Sequence, residues 1–292
     1  MDWLSQPFEP EFMRQALVAG LLAAVTTSLV GTWVVLRGMS FIGDALAHGV
    51  LPGIALAFVA GFDVTLGGML GAAVMVGGIN VVTRRSRLAE DTGIGLLFVG
   101  MLALGVVIVS REGSFATDLT GFLFGNILAV DDGDLWILTG AALVALLGVA
   151  AFYRSFLVLS FNVDKAEMLG LAPRFAHTVL LVLVAVAVVS SFRAVGTLLV
   201  FALLVAPPAT ASLIVRRVPV MMATSAAVGA ASVVVGLLVS YHEGTAAGAS
   251  IALVAVVIFF VVLTVREIGV RFAERRVALP TGYGSGASPP TA

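Results

Sequence analysis

The sequence predicts an all-α protein, a polytopic bundle of about nine (eight to ten) transmembrane helices. Its 292 residues are 60% hydrophobic and only 11% charged, with a mean hydropathy of +1.12. A soluble domain has about 25% charged residues. Apolar runs also recur along most of the chain, and their lengths are close to the roughly 17–25 residues that a helix needs to cross a bilayer. The basic residues cluster in alternate connections between these runs, as the loops of a membrane protein do.

Nine apolar runs account for the predicted spans. Glycine is frequent in them (32 residues in the chain), and Gly67 and Gly71 form a GxxxG pattern that predicts close helix packing. The sixth run is short for a span. The runs cover residues 16–36, 41–60, 65–83, 92–110, 135–152, 177–190, 196–214, 218–240 and 246–265.

Loop charge predicts the orientation of the bundle. One set of alternate loops and the end of the ninth run contain 13 of the 16 basic residues, all except Arg14, Arg111 and Arg193. The positive-inside rule places these segments and the C-terminus in the cytoplasm. We therefore expect an extracytoplasmic segment over residues 1–13, a transmembrane domain over 14–268 and a disordered Gly/Ser/Pro-rich cytoplasmic tail over 277–292.

The composition excludes several classes of protein. A net charge of -1 argues against a nucleic-acid partner, and the absence of cysteine excludes disulfides and thiolate chemistry. Lys165 is the single lysine and does not follow a glycine, so the chain has no phosphate-binding loop of the form GxxxxGK[ST]. We expect a transport protein that is not itself an enzyme, with any ATP hydrolysis in a separate subunit. Gly-x-Ser-x-Gly and HExxH, which would indicate a hydrolase, are absent.

Asp44 and His48 are the main candidate site residues. They lie four residues apart within the second apolar run, which puts both side chains on one helix face. Ionisable residues at membrane depth usually face a bundle interior and often mark an ion pathway, and a carboxylate with an imidazole suits a divalent transition metal. A structural hydrogen bond between helices is the alternative.

Two other places carry candidate side chains. His242 and Glu243, at the outer end of the eighth run, are candidate contacts for a metal or for a delivering protein, with a solvated loop as the alternative. His177, at the start of the sixth run, is expected to be interfacial. In the loop 161–174, Asp164 and Gly170 are typical of the start and end of a short helix, and Pro173 blocks its continuation. Such a stiff surface helix between two spans is what a motor subunit would push on, although plain connectors of this kind are common.

Several motifs in order resemble one family. The segments 37–53, 84–95, 123–128, 157–170 and 194–207 are similar to signatures of the metal-importing permeases of the ABC-3 type. The loop helix looks like the coupling helix of ABC importer permeases, where Ala166, Glu167 and Gly170 echo the EAA…G pattern. The resemblance runs from about Phe12 to Arg266, and the tail beyond Arg276 is not part of it.

The resemblance implies a division of labour. Two permease copies, or one copy and a close relative, would sit in a bacterial cell (inner) membrane. Cytoplasmic ABC ATPases would dock on the coupling helices, which assigns ATPase coupling to Asp164, Ala166, Glu167 and Gly170. An extracytoplasmic binding protein would deliver the metal, and Asp44 and His48 match positions that line the metal path in this family.

The resulting expectation is a permease for ATP-driven import of a divalent metal. Because imidazole suits zinc, whereas carboxylate and water suit manganese, zinc is favoured and manganese comes next. No permanently bound cofactor is expected, since the metal is cargo. The alternatives are a self-sufficient secondary transporter or channel driven by an ion gradient, and a permease for chelated metal or siderophore.

Overall fold

The computed structural model describes residues 6–39, 41–85, 90–110, 127–161 and 172–277, and within these ranges it has helices and no strands. Single 3-10 turns at Gln6–Phe8 and Ile127–Ala129 accompany the helices. The helices are α1 (Glu11–Leu36), α2 (Ile42–Gly49), α3 (Leu51–Ala60), α4 (Val64–Arg85), α5 (Glu90–Val109), α6 (Asp132–Phe161), α7 (Pro173–Val195), α8 (Thr197–Ile214), α9 (Val218–Glu243) and α10 (Ala247–Val277).

The described ranges contain 9 helical segments long and apolar enough to cross a membrane, with α2 and α3 together forming the second span. This confirms the predicted all-α, polytopic fold. Three predicted runs were clearly too short: the fifth, 135–152, is the 30-residue helix α6, the sixth, 177–190, is the 23-residue helix α7, and the ninth, 246–265, is the 31-residue helix α10. An apolar run measures only the apolar stretch, and helix α6 continues through Arg154 and Ser155, where polar residues interrupt that stretch.

Helix α1 lies at the centre of the bundle and packs against α6, α7, α8 and α9. Its Trp33 is fully buried, with edge-on contacts to Tyr153 and Phe156 at 5.5 Å between ring centroids. Gly31 lies directly against the backbone of Leu204, so a side chain there would collide with α8. The core of the molecule is therefore built around the first span, and the second span packs to one side of it.

The second span is divided between α2 and α3. Pro52 is the second residue of α3 and has no N–H, so the regular helical hydrogen bond to the carbonyl of His48 cannot form. Helix α2 packs against α4, α5, α7 and α8, whereas α3 packs against α4 and α5. The short helix α2 is thus surrounded by longer helices, which fix its position.

Close glycine contacts hold this span against α4. A Cβ added at Gly67 would lie 2.5 Å from the carbonyl oxygen of Gly53 and from Cβ of Ala57. At Gly71 a Cβ would lie 2.9 Å from Cα of Val50. The prediction that the GxxxG pattern serves helix packing is confirmed, and the backbone it supports lies directly after the Asp44–His48 segment.

Candidate metal site on the second span

The Asp44–His48 pair lies near the middle depth of the bundle. The ring of His48 contacts Phe98, the ninth residue of the 20-residue helix α5. Gly49 lies against Met75, the twelfth residue of the 22-residue helix α4. Because both neighbours are central in helices that span the bilayer, His48 is near the bilayer midplane, and Asp44 is about 6 Å away along the axis of α2.

The two side chains contact each other within helix α2. Nδ1 of His48 lies 3.1 Å from Oδ1 of Asp44 and 3.1 Å from the Asp44 carbonyl oxygen. Both of these atoms are acceptors, so Nδ1 carries a hydrogen and donates it. In the neutral ring the lone pair is then on Nε2, the arrangement in which a carboxylate orients a metal-binding histidine.

Each member of the pair has one atom that is available to bind a ligand. Within the described residues, Nε2 of His48 and Oδ2 of Asp44 have no hydrogen-bond partner. Phe98 meets the imidazole edge-on, with ring centroids 5.5 Å apart and planes at 88°, so it limits the tilt of the ring without occupying a nitrogen. The alternative prediction was a hydrogen bond between two helices. In the part of the chain that the structure describes, Asp44 and His48 instead contact each other within α2.

The pair is only partly covered by its own chain. The side chain of His48 is 19% exposed and that of Asp44 is 34% exposed. The other residues of α2 are buried, including Leu46 on the opposite side of the helix. The ionisable face of α2 is therefore open at mid-depth, where a single protein chain would expose it to lipid.

His242 and Glu243 lie in a different part of the bundle. They form the end of α9, which packs on α1, α8 and α10, whereas α2 packs on α4, α5, α7 and α8. Nδ1 of His242 donates to the carbonyl oxygen of Leu238 at 2.9 Å, and both His242 and Glu243 are exposed. Among the described residues no three His, Cys, Asp or Glu side chains come together as a metal site, so His242 and Glu243 do not complete the Asp44–His48 pair there.

The predicted coupling residues Asp164, Ala166, Glu167 and Gly170 lie outside the described residues. The chain resumes at Ala172, and Pro173 is the first residue of α7, as its ring predicts. His177, expected to be interfacial, is 8% exposed and contacts Arg37.

An apolar cavity of about 410 Å³ lies between α8 and α10, lined by Leu198, Phe201, Val205, Leu253 and Val256 together with alanines. It offers no carboxylate or imidazole, so it does not suit a metal ion. Phe201 also lies beside Gly43 of α2. The cavity therefore adjoins the metal-site helix but is chemically distinct from the site.

Sequence reasoning missed two neighbours of the pair. Phe98 lies in a helix that is apolar all round, and Met75 lies in another apolar run, so no pattern singles either out. Their places beside His48 and Gly49 depend on how α4 and α5 pack against α2.

The part of the chain that the structure describes combines 9 helices able to cross a membrane with a partly open carboxylate–imidazole pair on the second span, as in a polytopic membrane permease. The family profile described as the ABC 3 transport family matches residues 9–266, so the chain belongs to that family. It is a permease of a metal ABC importer, as its sequence motifs predicted.

Relatives cover almost the whole chain. The Listeria monocytogenes manganese transport system membrane protein MntC is 37% identical over 277 residues, covering 94% of this chain and 99% of that protein. The Yersinia pestis chelated iron transport system membrane protein YfeD is 35% identical over 271 residues, covering 91% and 89%. Among solved structures, PsaBC from Streptococcus pneumoniae in complex with Fab matches with a TM-score of 0.78 and 35% identity, covering 89% of this chain and 94% of that one.

Proposed function

We propose that this chain is the membrane permease of an ATP-driven importer of divalent metal ions, with manganese as the favoured cargo. The observation that supports this most strongly is the Asp44–His48 pair at mid-depth, with Nε2 and Oδ2 available to a ligand among the described residues. A carboxylate oxygen and an imidazole nitrogen replace part of the hydration shell of a passing ion. Two ligands from one chain do not make the closed site of a structural metal, which suits an ion that has to be released after transport.

The exposure of the pair supports a second permease copy as a partner. An aspartate at the centre of a membrane helix costs about 2.5–3.5 kcal/mol on insertion scales, so the open face of α2 has to be covered by protein or water. A second copy facing it would both cover this surface and bring a second Asp44–His48 pair to the ion. In the proposed dimer the metal path follows the boundary between the two copies.

The choice of manganese rests on relatives and ligand chemistry. MntC, which covers nearly the whole chain, is named for manganese transport. Carboxylate and water ligands suit manganese, and imidazole is compatible with it. Zinc, which the sequence favoured, is in none of the names of these relatives and stays an untested prediction. Iron is the second candidate, because YfeD is named for chelated iron transport.

The energy source and the delivery of metal are assigned to other subunits. The chain has no GxxxxGK[ST] loop, so an ABC ATPase would supply ATP hydrolysis from the cytoplasm. It would dock on the predicted coupling helix at Asp164, Ala166, Glu167 and Gly170. A binding protein would deliver metal to the opposite face, where His242 and Glu243 end α9. This orientation puts the C-terminus in the cytoplasm of a bacterial cell, as the distribution of basic residues favours.

Metal accumulation in cells tests the proposal. The chain is expressed with and without its ATPase and binding protein in a bacterium that lacks its own manganese, zinc and iron importers, and cell-associated metals are measured by mass spectrometry. We expect manganese to rise only when all three components are present. A rise with the permease alone would indicate a self-sufficient transporter instead, and a rise in zinc or iron alone would replace manganese as the cargo.

A further inference from the structure

Arg37 and His177 join two spans at the end of the bundle that carries most of the basic residues. Nη1 of Arg37 lies 2.8 Å from Nδ1 of His177, and His177 is 8% exposed. Guanidinium has donors and no acceptor, so Nδ1 of the imidazole must accept this hydrogen bond. This partly buried hydrogen bond has a charged donor, which makes it one of the stronger polar contacts in a protein, so it can hold α7 and the end of α1 in one relative position.

On the α7 side, the contact follows a rigid junction. Ala172 adopts φ 42° and ψ 68°, a left-handed conformation that is unfavourable for a residue with a Cβ. The ring of Pro173, the next residue, fixes its own φ angle. The N–H groups of Phe175 and Ala176 both donate to the Ala172 carbonyl. His177 is therefore attached stiffly to the chain that leaves the predicted coupling segment.

On the α1 side, the contact leads directly to the metal-site helix. Arg37 follows the last residue of α1, and Gly38 turns the chain with φ 69°. The N–H of Met39 then donates to the carbonyl of Val34, and the N–H of Ile42 donates to the carbonyl of Met39. Met39 is buried, so this reversal is anchored in the core, and α2 begins three residues after it. Asp44 is the seventh residue after Arg37.

We propose that the Arg37–His177 hydrogen bond is a positioning contact that transmits movement of the coupling segment to helix α2, and so to Asp44 and His48. The proposal rests on the proposed function, because it needs a metal site on α2 and an ATPase acting on the coupling segment. Apolar packing of α7 against α1 and α2 holds the fold together independently of this bond. Loss of the bond is therefore expected to separate ATP hydrolysis from transport while the bundle stays assembled.

The test uses the whole importer, this chain with its ATPase and binding protein, in proteoliposomes. ATP hydrolysis and manganese entry are measured together for His177→Leu and Arg37→Met, which each remove one partner. His177→Gln keeps an acceptor oxygen, and Arg217→Gln removes a charge from an exposed arginine before α9 as a matched control. We expect His177→Leu and Arg37→Met to lower the manganese moved per ATP by about tenfold, within the usual range of coupling between sites. His177→Gln and Arg217→Gln should stay close to wild type.

A double variant distinguishes coupling from two unrelated defects. If the bond is the link, the combined loss in Arg37→Met/His177→Leu should be clearly smaller than the two single losses combined, because the contact that they share is lost only once. Additive losses, or wild-type manganese per ATP in both single variants, would overturn the proposal. Failure of both to assemble would also overturn it, by making the contact structural. A wild-type complex that moves manganese without ATP would overturn the proposed function, and the coupling proposal with it.

Discussion

Asp44 and His48 act as a unit in which one residue orients the other. The carboxylate of Asp44 accepts from Nδ1 of His48 at 3.1 Å, which leaves Nε2 as the ring atom that can meet an ion. Helical spacing predicts that the two side chains share a face. It does not predict which nitrogen faces the carboxylate, because that depends on the ring orientation, to which Phe98 of a separate helix contributes.

Asp44→Asn tests the charge of the carboxylate. The amide oxygen can still accept from Nδ1 of His48, but the negative charge near the ion is lost. We expect manganese uptake at limiting concentration to fall by about 10- to 100-fold, the usual effect of mutating the carboxylate beside a metal-binding histidine. Uptake by cells that also express the ATPase and binding protein measures it.

Asp63→Asn is the matched control for that change. Oδ1 of Asp63 accepts from the N–H groups of Thr65 and Leu66 at the start of α4, and asparagine caps a helix about as well as aspartate. Uptake should be unchanged in this variant. Equal uptake in Asp44→Asn and Asp63→Asn would remove Asp44 from the metal path.

At the scale of elements, the packing of α3 on α4 fixes the second span. Gly67 has no room for a Cβ, since one would lie 2.5 Å from the Gly53 carbonyl oxygen. We expect Gly67→Ala to push the two helices apart and to lower the free energy of unfolding by about 1–3 kcal/mol, as overpacking does. Thermal unfolding of the purified protein in detergent measures the change.

The same helix provides the control. Gly77 lies on the exposed side of α4, with nothing within 4 Å of a Cβ placed there. Gly77→Ala should leave the melting temperature unchanged or raise it, because alanine favours a helix over glycine. If Gly67→Ala and Gly77→Ala melt alike, the close contact between α3 and α4 does not contribute to stability as proposed.

The elements were predictable to different degrees. Among the described residues, the spans other than the sixth follow from apolar length, because a bilayer imposes that length on each helix, whereas the sixth run is shorter than a span. The ends of α6 and α7 did not follow from it, since helices continue past the apolar stretch into polar residues such as Arg154. The division of the second span follows from the chemistry of Pro52. The contacts of His48 with Phe98 and of Gly49 with Met75 depend on how separate helices pack together, which the apolar run of one helix does not show.

At the scale of the whole molecule, the partly open ionisable face at mid-depth supports the proposal that two copies form the transport unit. Asp44 is 34% exposed in the isolated chain. A second copy across this face would supply the missing ligands, so each ion would depend on both pairs. A mixed importer with one His48→Ala copy and one wild-type copy tests this arrangement.

The mixed importer is isolated through two different tags, one on each copy. We expect its manganese uptake to fall to the level of the doubly substituted importer, because a shared ligand set fails when half is lost. Half of the wild-type uptake would show that each copy transports independently. Failure of the two tags to purify together would contradict the proposed dimer.

The proposed metal path is tested most directly by ATP-driven manganese entry into proteoliposomes that contain the importer with wild-type or His48→Ala permease. We expect His48→Ala to lower entry by at least about tenfold, while the importer still assembles and hydrolyses ATP. Entry at the wild-type rate in His48→Ala would remove His48 from the metal path, because the ion would then cross without the imidazole on which the proposed site depends.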